Sequence, residues 1–104
     1  MRVWLCNTSA VAEGSVLRFE PQGAPPIALA RCESGWHAVI DNCSHEDYPL
    51  SEGEVFADTC EIECVRHGST FSLLDGEPQS LPATRPVAVF PVEVEGDDVY
   101  LVVQ

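Results

Sequence analysis

Basic residues are scarce in this sequence: 104 residues hold 5 of them against 17 acidic ones, a formal net charge of −12. A field of that sign repels nucleic acid and anionic lipid, which argues against a DNA, RNA or membrane-surface ligand. It favours a partner with a basic docking face, although acidity alone also keeps a small protein soluble. Long hydrophobic runs are missing too, and no stretch approaches the apolar length that spans a bilayer. The opening MRVWLC is too short an apolar run for a secretory signal, and Glu13 interrupts soon after. A cytoplasmic location is expected. Sustained helical periodicity, internal repeats and low-complexity tracts are all lacking. Five cysteines is an odd number, so they cannot all pair within the chain. In a reducing compartment, cysteine together with histidine points to metal before disulfides.

What is present is period-two patterning. Gly14–Glu20, Pro26–Cys32 and Trp36–Asp41 read as strands, with a hairpin at Ser34-Gly35. Val87–Glu95 and Asp98–Val103 flank Gly96-Asp97, a second hairpin signal, and Pro91 demotes its strand to an edge or bulged position. Short strands and frequent turns predict an all-β antiparallel sandwich or small barrel. The length fits one domain, residues 1–104, with a modest core. Its middle, residues 42–81, is loop-rich and reads as a small metal-binding lobe inserted in a basal β scaffold, with a short strand at Thr70–Leu74 ending in an Asp75-Gly76 turn.

The chemistry sits in that middle. Cys43-Ser44-His45 is a Cys-x-His unit, and Cys64-Val65-Arg66-His67 is a Cys-x-x-His unit. Each places one thiolate and one imidazole on a short loop, able to converge on metal. Gly68 allows a tight turn after the second unit. Both units would arise by chance in about 2% of sequences of this composition. Two cysteines and two histidines could bind a structural zinc tetrahedrally, or a [2Fe–2S] cluster with thiolates on one iron and imidazoles on the other.

The stretch CSHEDYPLSEGEV…CEIECVRHGSTFSLLDGEP, with the terminal PVAVFPVEVEGDDVYL, resembles the Rieske-type ferredoxins of non-haem iron oxygenase systems and those associated with iron–sulfur assembly. The resemblance covers nearly the whole chain. It implies a Rieske-like fold with a cluster-binding subdomain and one [2Fe–2S] cluster per chain. Cys43 and Cys64 would hold the buried iron, and His45 and His67 the outer one. It further implies a Pro-containing third loop near Leu81–Pro86, including Pro82, shielding the cluster. The expected role is a soluble, monomeric one-electron carrier, not an enzyme, accepting from a flavoprotein reductase and donating to an oxygenase or other redox enzyme. The alternatives are a small subunit of a nitrite reductase complex and a zinc-stabilised binding module.

Departures from the high-potential members of that family bear on the potential. Their extra inter-loop disulfide would fall at Tyr48 and Arg66, so it is absent. Ser69 matches a serine that hydrogen-bonds cluster sulfur, but Phe71 replaces the tyrosine that does the same. Fewer such bonds predict a potential at the low end of the Rieske range, about −150 mV.

Other candidates have plainer readings. Cys6, Cys32 and Cys60 are expected as small core residues, and His37 as a surface or hairpin residue. Trp4 and Trp36 are expected to pack, Leu50 to pack over the lower lobe, and Glu46, Asp47, Glu52 and Glu54 to be solvated loop charge.

Overall fold

Alternation along one strand organises the molecule. In the computed structural model, which describes residues 1–66 and 68–103, β3 (Ile27–Cys32) is buried on both faces. Its large residues, Ile27 and Leu29, point into a basal core with Leu5, Val11, Ala38, Val99 and Leu101. Its small ones, Ala28, Ala30 and Cys32, face a second core that contains Cys43, Leu50, Ile62, Cys64 and Phe71. Small side chains on that face let the lobe lie close against the strand.

Three antiparallel sheets result, with no α-helix among the described residues. β3 is flanked by β2 (Val16–Phe19) and β4 (Gly35–Ile40), and β8 (Val89–Phe90) closes that sheet beside β4. The basal sheet runs β1 (Arg2–Asn7), β10 (Asp98–Val102), β9 (Val92–Glu95). In β1 the register slips between Trp4 and Cys6, a bulge that accompanies the consecutive burial of Leu5 and Cys6. The third sheet, β5 (Val55–Phe56), β6 (Glu61–Glu63) and β7 (Thr70–Ser72), lies between β4 and β8 in the chain.

The expected strands are present with small corrections. The first hairpin turns at Glu33-Ser34, because Cys32 pairs with Gly35. The expected Val87–Glu95 strand is two: β8 pairs with β4 and β9 with β10. Pro91 stands between them, where the missing N–H cannot continue a ladder and the chain changes sheet. The strands β1, β5 and β6 lay outside the sequence-based expectation.

Candidate metal centre

Two loops of the lobe are closed in the same way. The Cys43 N–H donates to the carbonyl of Tyr48 at 2.9 Å, and the Cys64 N–H to that of Ser69 at 2.7 Å, five residues on in both cases. In the second loop the Gly68 N–H also donates to the Cys64 carbonyl at 2.9 Å, with Gly68 at φ +74°. That left-handed conformation is cheap for glycine alone. Both sulfurs are buried in one core: Cys43 is 2% exposed and Cys64 0%. His45 is exposed. His67, the fourth expected ligand, lies outside the described residues.

The first loop is pinned at its base by Asp41. Its carboxylate accepts from the Ser51 N–H and the Ser51 hydroxyl, both at 2.6 Å, and from Arg18 at 2.8 Å. Asp41 thus ties residue 41 to residue 51 across the segment carrying Cys43 and His45. The same contact raises the Arg18 pKa, the Asp41 hydrogen bond being the largest cause. Gly53 follows, where a Cβ would clash with the Glu63 carbonyl, so the chain runs directly against β6. Asp41 was not singled out in the sequence, since a lone acid at a strand end carries no motif.

A third loop, containing Pro82, reaches both of the others. The Ala83 N–H donates to Ser69 Oγ at 3.1 Å, and Ser44 Oγ donates to the Arg85 carbonyl at 2.5 Å. Ser69 is fully buried and keeps its hydroxyl proton for a second partner. Phe71 is also fully buried and offers no hydroxyl. Tyr48 and Arg66 face each other across the two loops, the guanidinium 5.4 Å from the ring centroid, and Arg66 reaches Glu46 at 3.4 Å. Around this end Val65 and Leu81 are 53% and 78% exposed.

The plain reading of Cys32 and Cys60 needs correction. Both are buried, but they form a disulfide linking the end of β3 to the turn before β6. The reason is proximity: the β3–β4 hairpin tip is held on the lobe, with the Glu33 N–H on the Ala57 carbonyl, and the two Cα atoms come to 5.4 Å. Cys60 holds φ +57°, a left-handed backbone costing a non-glycine residue about 1–2 kcal/mol. His37 belongs to the same cluster: its ring nitrogen and the two sulfurs lie within 4.8 Å of one another. Burial lowers the His37 pKa. With one imidazole, and sulfurs bonded to each other, this trio does not supply two thiolates and two imidazoles.

Glu52, Glu54 and Glu63 line an open hollow of about 480 Å³ whose described lining residues include no histidine or cysteine. Solvated charge suits that composition. Cys6 is buried in the basal core, and that burial raises its pKa.

Known proteins resemble this chain both in sequence and in fold. A family model described as the Rieske [2Fe-2S] domain matches residues 1–91. The 3-phenylpropionate/cinnamic acid dioxygenase ferredoxin subunit of Shigella flexneri serotype 5b (strain 8401) is 37% identical over 100 residues, covering 96% of this chain and 92% of the relative. The ferredoxin of carbazole 1,9a-dioxygenase from Nocardioides aromaticivorans IC177 superposes with a TM-score of 0.92 at 26% identity, covering 99% of this chain and 98% of that one. A structure of a complex of reduced oxygenase and oxidized ferredoxin in carbazole 1,9a-dioxygenase contains a chain with a TM-score of 0.88 and 36% identity. That match covers 96% of this chain and 100% of the other.

Proposed function

Since the chain belongs to the Rieske [2Fe–2S] domain family, we propose that residues 1–104 form one electron-carrying domain whose cluster-binding lobe spans about 42–81. Cys43 and Cys64 hold one iron through thiolates, and His45 and His67 hold the other through imidazoles. The donor set suits the group: two sulfurs buried in one core, each heading a loop closed by the same hydrogen bond, with His45 at the surface. That pairing of buried sulfur with exposed imidazole is the observation that carries the reading. The cluster supplies a one-electron couple whose charge changes without bond rearrangement.

The chain's own residues do the rest. Leu50, Ile62 and Phe71 exclude water from the sulfur side, while His45 presents a ring edge through which a partner gains the shortest route. The Asp41–Ser51 and Ser69–Ala83 bonds hold the loops in one arrangement, so little must reorganise when charge arrives. Phe71 withholds a hydroxyl that would favour the reduced state, which keeps the potential near the low end of the family's range.

The protein acts as an electron-transfer component and not as a catalyst. Its acceptor is a terminal oxygenase, a reading supported by the relatives' names and the oxygenase–ferredoxin complex, and the donor that the resemblance implies is a flavoprotein reductase. Exposed Val65 and Leu81 give an apolar contact at the lobe, and the net charge of −12 favours a basic partner. The protein works as a cytoplasmic monomer; no helix among the described residues is long and apolar enough to cross a membrane.

Purified protein should be red-brown, contain two irons per chain, give a Rieske-type EPR signal on reduction and show a midpoint near −150 mV. A colourless zinc protein would overturn the electron-carrier reading. A potential well above zero would overturn the account of Phe71.

A further inference from the structure

The Cys32–Cys60 pair lies outside the proposed cluster ligands, yet it has the makings of a second metal site. We propose that Cys32, Cys60 and His37 bind a thiophilic divalent cation such as Zn²⁺ when the disulfide is reduced. The three donor atoms come from three segments, the end of β3, β4 and the β5–β6 turn, and all lie within 4.8 Å of one another. One small atom marks their focus. Ser34 Oγ is 3.3 Å from Cys32 Sγ, 3.6 Å from Cys60 Sγ and 3.2 Å from His37 Nε2.

Two sulfurs and one imidazole select a soft or borderline ion over magnesium or calcium. Three protein ligands leave a fourth tetrahedral position, open to the Ser34 hydroxyl or to water. Both cysteines are buried, whereas Ser34 is exposed, so the ion would enter through the hairpin tip. At Zn–S distances of about 2.3 Å, two tetrahedral sulfurs stand about 3.8 Å apart. Rotation of two side chains whose Cα atoms are 5.4 Å apart can supply that opening.

The steps balance with a dithiol as reductant. Its two sulfurs give up two electrons and two protons and become a disulfide. The Cys32–Cys60 S–S bond breaks, and the two sulfurs take those electrons and protons as thiols. The cation then displaces both protons. The hairpin tip is consequently fastened to the lobe in either redox condition, by a covalent bond in one and by metal in the other. This site does not depend on the electron-carrier reading.

The test uses cluster-loaded protein reduced with a phosphine, which leaves as its oxide, then incubated with zinc sulfate and desalted. Metal analysis should give one zinc for every two irons, with the EPR signal of the reduced cluster unchanged. Unreduced protein and a His37→Ala variant should each hold less than a tenth of that zinc. Zinc should also slow alkylation of Cys32 and Cys60 at least tenfold in the wild type, read by mass spectrometry. The proposal is overturned by reduced wild type that takes up no zinc, by full occupancy in His37→Ala, or by zinc gained as iron is lost.

Discussion

The two faces of β3 border cores of different character. The basal face is aliphatic: Ile27 and Leu29 share a core with Val99 and Leu101, which lie on a sheet of four- to six-residue strands. The lobe face meets a core holding Cys32, Cys43, Cys60 and Cys64, built from two- and three-residue strands. The basal core is shaped by apolar burial, which needs no particular atom in a particular place. The lobe is held by single atoms: one carboxylate at Asp41, one hydroxyl at Ser69, one disulfide. A scaffold of the first kind tolerates change, and a site of the second kind gains fixed geometry at the expense of tolerance.

Removing a sulfur should separate the two most sharply. Cys64→Ser is expected to abolish iron binding and the visible spectrum. Amide exchange should still show protected β1, β9 and β10, since none of their core partners is touched. Protection lost across β10 would mean the cores fold as one unit. The next effect is a paired one. Leu29→Ala should cost about 2–5 kcal/mol of global stability in denaturant unfolding, while folded molecules keep a normal cluster spectrum. Ala30→Val, on the opposite face of the same strand, should cost less, about 1–3 kcal/mol by overpacking, and should perturb that spectrum. Equal spectra for both would erase the distinction between the faces.

Asp41→Asn comes third. The amide keeps the size and loses the charge-assisted bonds to Ser51 and Arg18, worth about 1.5–3 kcal/mol together. Arg18 is 40% exposed, so solvent screening reduces its share and the Ser51 bonds carry most of the loss. Urea unfolding gives the number. Faster iron release to a chelator would place the damage in the first loop, and unchanged release would show that Asp41 serves the scaffold instead.

How much of this was legible follows the same division. β10 was readable because its burial repeats every second residue, β3 and β4 because their apolar runs flank the Ser34-Gly35 turn signal, and the Cys-x-His and Cys-x-x-His units because their ligands are close in sequence. The Cys32–Cys60 bond was not, since its partners are 28 residues apart and meet through the docking of a hairpin tip on another sheet. Nor were β5 and β6, too short to show a period, or the division of β8 from β9. Pro91 announced an interruption but not that the two halves would join different sheets. Asp41 looked like any strand-end acid. Its role depends on Ser51 and Arg18 arriving from elsewhere, which no local pattern encodes.

The smallest expected effect concerns positions 48 and 66, where the resemblance implies that high-potential relatives carry a disulfide. Here Arg66 lies 5.4 Å from the Tyr48 ring and 3.4 Å from Glu46, so the two loops are bridged without a covalent bond. Arg66 is 52% exposed in its side chain, which limits the bridge to about 0.5–1 kcal/mol. Arg66→Gln, Tyr48→Leu and the double variant form a cycle whose coupling isolates the ring contact from the ion pair. If the ring contact dominates, the coupling survives in half-molar salt, because a stacked guanidinium is poorly screened by ions. If the Glu46 pair dominates, Arg66→Gln should lose its effect as salt rises, and the cycle with Tyr48 should close to zero. In that second case the lobe's two loops are tied by nothing stronger than surface charge at this point, and their relative position rests on the Pro82 loop through Ser44 and Ser69.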